Sequence, residues 1–232
     1  MTEKGENSNF NPDGKVNPIG FVERRTPAMK KILLLGLFLF LSFLIFTFLV
    51  ALSNFSKLDL ITTKSLQLII PRIMDLPFSL LSLLGSLEIV SILLLILWWF
   101  YKKLNLFYVL LGFAIFHILE LFGKYFVTHP GPTSEFFRYY FSFAMPSSSV
   151  KPGSSYPSGH LGRTMFVSVI ILFLINQNTN MKKANKYFLY FLVLTFDIMM
   201  FISRIYLGEH WLSDVIGGSL LGSSIAIFSL AL

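Results

Sequence analysis

Apolar and polar positions along this chain are sorted into long blocks rather than short alternations. Residues 1–31 are polar, rich in Asn, Gly, Glu, Lys and Pro, and lack apolar periodicity, which predicts a flexible tail. Residues 32–52 then form an apolar run without charge. At ~1.5 Å rise per residue, about twenty residues cross the ~30 Å hydrocarbon layer of a bilayer. The run is too long, and starts too far along the chain, for the apolar region of a signal peptide, so it predicts a spanning helix. Five further runs follow at 76–100 (interrupted by Glu88), 106–122, 161–176, 187–203 and 212–232. The expectation is an all-α, polytopic membrane protein with six transmembrane helices, organised as a tail (1–31) and one membrane domain (32–232).

Composition strengthens that picture. The chain of 232 residues is 54% hydrophobic but only 13% charged, too few charges to cover the water-facing surface of a soluble domain. It has no cysteine, which excludes disulfide frameworks, thiolate metal sites and cysteine nucleophiles. The net charge of +7 raises the question of nucleic acid. Its distribution answers with topology instead: Arg24, Arg25, Lys30, Lys31, Lys102, Lys103, Lys182, Lys183 and Lys186 all fall on one side if the N-terminus is cytoplasmic. Both termini are then expected inside a cell (plasma) membrane, with the loops at 53–75, 123–157 and 204–211 on the outer face, and no nucleic-acid partner is expected.

Polar groups at membrane depth are costly and mark function. His129, His160 and His210 lie in or beside the outer loops, while His117 lies within the third predicted helix. His210 and Asp214 are four apart at the start of the last helix and share a face. A carboxylate there can accept the imidazole Nδ1–H and leave Nε2 as a nucleophile, or the pair can simply cap the helix. Arg204 lies six residues before His210, across a turn containing Gly208.

Tyr156-Pro157-Ser158-Gly159-His160 opens the fourth helix. Ser158 is a good N-cap, and free amides at Ser158, Gly159 and His160 would suit phosphate oxygens. Lys124 closes the third helix, with Glu120 four residues before it. It reads either as part of a site or as a snorkelling anchor. Asp197 is expected to pair structurally, and Glu88 has no evident partner. The aromatic-rich segment 134–141 predicts an interfacial helix bordering the site or anchoring the chain.

Taken together, Lys124 with Pro132, Pro157-Ser158-Gly159-His160, and Ser203-Arg204-x5-His210-x3-Asp214 resemble the three-part signature of the type-2 phosphatidic acid phosphatase superfamily. The second and third parts match in identity and spacing. The first, K-x6-R-P in that family, has Gly131 at its arginine position. The resemblance implies metal-independent hydrolysis of a phosphate ester through a phosphohistidine, with no cofactor and no metal. His210 is then the nucleophile, Asp214 its orienter and His160 the proton donor to the leaving group. Lys124, Arg204 and the amides around Ser158 and Gly159 would hold the phosphoryl oxygens.

For the missing arginine the chain offers Arg163, three residues after His160 on the same side of the helix, with His129 as a second donor. The rival for Arg163 is a structural ion pair with Glu120 or Asp197. A site at the outer interface implies a lipid phosphate as substrate: a polyprenyl diphosphate, phosphatidylglycerol phosphate, phosphatidate or similar. A lipid phosphotransferase of the same fold and a non-enzymatic transporter are the alternatives.

Overall fold

The structure is a computed structural model in which residues 26–101, 104–139 and 153–231 are described. Of the flexible tail expected over 1–31, residues 1–25 lie outside the described residues, as do Lys102, Lys103, Tyr140 and Phe141, while residues 26–31 already belong to the first helix. Among the described residues eight α-helices follow in order: α1 (Thr26–Ala51), α2 (Ser56–Ile69), α3 (Asp75–Leu83), α4 (Leu87–Phe100), α5 (Leu106–Phe126), α6 (Gly159–Gln177), α7 (Lys183–Tyr206) and α8 (Leu212–Ala231). Among the described residues there is no strand. Five helices among the described residues are long and apolar enough to span a bilayer, running over Lys30–Ala51, Leu106–Phe126, Gly159–Gln177, Lys183–Tyr206 and Leu212–Ala231. The protein is an all-helical, multi-pass membrane protein.

The expected second span is where sequence and structure part. Residues 76–100 are not one helix: the chain breaks at 84–86 between α3 and the 14-residue α4. Ser86 caps α4, accepting the Ile89 amide at 3.4 Å. Gly85 lies against the backbone oxygen of His160, 3.2 Å from where a Cβ would stand. The stretch 53–75, expected as a loop, contains α2, and α2 meets the following helical segment at a bend of 101°. Counting that bent pair as one span gives up to six.

α8 is the central helix, packing against α1, α2, α5, α6 and α7. Its approach to α6 is backbone-close because both faces lack side chains. A Cβ at Gly218 or Gly222 would strike the carbonyl oxygens of Ser158 or Gly162. Small residues four apart permit such contact in an apolar solvent, where van der Waals packing drives association. Beside this seam, Phe116, Phe166, Ile170 and Leu221 form a buried core with Phe43 and Tyr156. Leu34, Phe38, Phe48, Ile118 and Phe126 point outward and are exposed, as lipid-facing positions are.

Candidate active site

The C-terminal ends of α5 and α7 and the N-terminal ends of α6 and α8 bring the motif residues together. α7 ends in a tight turn: the amides of Glu209 and His210 both donate to the Arg204 carbonyl, at 3.3 and 3.2 Å. Gly208 makes this possible with φ of 70°, and Phe136 backbone fills the space a side chain would need. The turn therefore folds His210 back beside Arg204, as the spacing predicted.

His210 Nδ1 lies 3.4 Å from Asp214 Oδ2, which also accepts the Trp211 amide at 2.9 Å. Asp214 is fully buried. Burial, then the cations Arg204 and Lys124, push the His210 pKa well below the usual histidine value of 6.5, against the opposing pull of Glu209 and Glu120. An imidazole so placed is neutral at pH 7 and has a free lone pair.

His160, on the first turn of α6, lies within electrostatic reach of Arg204, Arg163, His210 and Lys124. Both histidines thus belong to one cluster. Arg163 is buried and makes three contacts: Nε donates to the Gly85 carbonyl at 3.0 Å, Nη1 meets Glu120 Oε2 at 3.4 Å, and Nη2 stands 3.4 Å from His160 Nδ1. The ion pair with Glu120 weighed from sequence is formed, and the same guanidinium reaches the histidine. Glu120 gathers His117 at 3.0 Å and Lys124 at 3.7 Å as well. Glu88 lies near enough to Arg163 to act on it electrostatically. Asp197 instead accepts from Ser168 Oγ at 2.6 Å, a structural pair distant from Arg204 in role.

The α6 N-terminus differs in one respect from expectation. The Ser158 amide is not free: it donates to the Asp214 carbonyl at 2.9 Å, tying α6 to α8. Its hydroxyl makes no capping bond and is buried without a partner among the described residues. Gly159 has a second use, since a side chain there would overlap the Glu120 carboxylate. Arg204, also buried, contacts Ser82 Oγ and Glu209, and its Nε is unpartnered among the described residues.

His129 does not face this cluster of cations with its Nε2. That nitrogen stands 3.1 Å from Ser213 Oγ, 3.4 Å from Asp214 Oδ1 and 3.7 Å from Asp59 Oδ2. Segment 134–141 is not an interfacial helix as far as Tyr139: one 3₁₀ turn (Ser134–Phe136) precedes extended chain. Gln67 Nε2 pins it to the end of α7, donating to the Phe136 and Tyr206 carbonyls at 2.7 and 2.8 Å.

Sequence reading missed Asp59, Gln67, Ser82, Gly85 and Glu209. Asp59, Thr63 and Gln67 recur every four residues, a polar stripe that marks one helix face within a stretch taken as loop. Among the described residues no group of three or more His, Asp or Glu side chains could hold a metal ion.

The PAP2 superfamily model matches residues 102–232. A dihydrosphingosine 1-phosphate phosphatase of Schizosaccharomyces pombe is 35% identical over 83 residues, which are 35% of this chain and 20% of that relative. The chain thus spans about a fifth of that relative's length. Two solved structures share the fold. A transmembrane PAP2-type phosphatidylglycerolphosphate phosphatase from Bacillus subtilis superposes with TM-score 0.67 at 23% identity, over 84% of this chain and 93% of the other. Aquifex aeolicus LpxE gives TM-score 0.57 at 21% identity, over 75% and 96%.

Proposed function

Because the chain belongs to the PAP2 superfamily, we propose that it is a lipid phosphatase, hydrolysing a phosphate monoester or diphosphate carried on a membrane lipid. The observation that carries this reading is the meeting of His210 and Asp214 with His160, Lys124 and Arg204 at the ends of four helices. In the first half-reaction His210 Nε2 attacks phosphorus, the bond to the leaving oxygen breaks, and that oxygen takes a proton from His160. Asp214 accepts the Nδ1–H of His210 and stabilises the positive charge that develops on the ring.

Arg163, with Nη2 3.4 Å from His160 Nδ1, sets the position of the ring, and it is the doubly protonated imidazolium of His160 that gives its Nε2 proton to the leaving oxygen. In the second half-reaction water attacks phosphorus, gives a proton to His160, and the N–P bond breaks to release inorganic phosphate. Lys124, Arg204, the Gly159 amide and the Ser158 hydroxyl hold the phosphoryl oxygens, and Arg163 adds its charge in place of the arginine absent at Gly131. Preorganised positive charge is what phosphoryl transfer requires most, and these groups supply it without a cofactor.

The substrate headgroup meets the site at the membrane surface while its tail stays in lipid. With the basic residues 30–31 and 182–186 cytoplasmic, the site opens on the outer face of the cell membrane. The test uses the full chain in detergent with EDTA present, against phosphatidate, phosphatidylglycerol phosphate, dihydrosphingosine 1-phosphate and a polyprenyl diphosphate. Inorganic phosphate is expected from at least one of them, and His210→Ala is expected to lower its release by ~10³-fold or more. No release from any, or release that survives His210→Ala, overturns the reading. Phosphate appearing on a second lipid instead of in solution makes the protein a transferase.

A further inference from the structure

The His210–Asp214 pair does not end at the aspartate. One carboxylate oxygen of Asp214 serves His210 and the Trp211 amide, and the other faces His129 Nε2 at 3.4 Å. His129 and Asp214 are both buried, as is Asp59, which comes from α2, a helix that packs against α7 and α8. Asp59 accepts the Ser213 amide and the Ser213 hydroxyl, each at 2.8 Å.

Counting hydrogens gives the direction of this network. Ser213 Oγ has a single hydrogen and donates it to Asp59, so toward His129 Nε2, 3.1 Å away, it is an acceptor. His129 Nε2 therefore carries a hydrogen, which Ser213 Oγ accepts, and the same nitrogen stands 3.4 Å from Asp214 Oδ1, a buried oxygen with no hydrogen-bond partner among the described residues. The Tyr156 ring stands edge-on to the imidazole, centroids 6.3 Å apart, and limits its rotation. Asp59 and Asp214 are the charged groups facing the ring.

We propose that His129 is a positioning residue for the nucleophile. It sets an N–H donor beside the second, otherwise unpartnered oxygen of Asp214, and Asp59 with Ser213 anchors that donor from behind. The carboxylate is thereby kept in the plane that serves His210 Nδ1, at a buried position where a polar contact counts for more than in water. The effect acts on the chemical step and not on capture of the phosphate, since the lysine and arginine cations are untouched.

This inference rests on the phosphohistidine reading above, and the experiment separates the two. The parent, His210→Ala, His129→Leu, His129→Gln and Asp59→Asn are compared on the panel lipid that the parent turns over fastest. Glutamine places an N–H donor near the position of Nε2, whereas leucine keeps the bulk without it. Leucine is expected to lower kcat about tenfold or more with KM within about twofold, and glutamine to recover most of the loss. Asp59→Asn, which keeps its size, is expected to lower kcat to an intermediate level even if the leucine variant fails to fold. Equal kcat losses in the leucine and glutamine variants, losses confined to KM, or parent-like kcat in Asp59→Asn overturn the proposal. An inactive parent, or an active His210→Ala, instead overturns the functional reading on which it stands.

Discussion

Arg163 Nη2 stands 3.4 Å from His160 Nδ1, one helical turn along α6, while the same guanidinium spans to α5 through Glu120 and to the α3–α4 break through the Gly85 carbonyl. A planar fork can satisfy three directions at once, and a lysine ammonium on a flexible stem cannot. Arg163→Lys is therefore expected to lower kcat by about 10²-fold, the scale of a misplaced general acid, with a smaller change in KM. Steady-state turnover of a lipid phosphate checks this, and a parent-like kcat removes the link between Arg163 and His160.

The acid limb of the pH profile follows from His210. Its pKa lies well below 6.5, depressed by burial and by Arg204 and Lys124, so the free enzyme keeps the proposed nucleophile unprotonated at pH 6.5. The kcat/KM profile should show no loss from this group near ~6.5 and fall only in more acid solution. Lys124→Met removes a cation that opposes protonation, so its limb should move to higher pH. Profiles on one substrate, corrected for the substrate's own ionisation, decide it.

Glu209 acts in the opposite sense on His210 and occupies Arg204. Glu209→Gln should shift the acid limb further down and free the guanidinium for an incoming phosphate. KM is expected to fall about threefold or more, the scale of an ion pair that is partly exposed. A KM that rises would mean that Glu209 aids binding.

The α6–α8 seam gives a prediction for stability. Alanine is a better helix former than glycine by ~1 kcal/mol, yet at Gly222 its methyl would strike the Gly162 carbonyl. Gly222→Ala should be destabilised by about 1–3 kcal/mol, the usual cost of overpacking, and should lower the unfolding midpoint in detergent. Gly153→Ala is the control, because nothing lies within 4 Å of its Cβ position, and its midpoint should match the parent.

What was legible in the sequence was local. Ser203, Arg204, His210 and Asp214 lie within two helix ends and one turn, so their spacing alone brings them together, and the apolar runs mark the long helices by length. The Ser158 amide was misjudged because its partner, the Asp214 carbonyl, is 56 residues away, the difference of the two residue numbers. Ser82 and Gly85 were invisible for the same reason, each meeting its partner across a helix interface that no periodicity encodes, whereas Asp59 left a trace only in its four-residue stripe with Thr63 and Gln67. The break inside residues 76–100 escaped because apolarity is as high in α3 and α4 as in an unbroken span. At the break Gly85 lies close to α6 and Ser86 caps the start of α4.

The bend between α2 and the helical segment after it carries more than topology. The stretch matched to the family begins at residue 102, yet Ser213, Arg204 and Arg163 lean on Asp59, Ser82 and Gly85, all upstream of that point. A fragment cut at residue 102 would keep every recognisable motif and lose a wall of the chamber those motifs line.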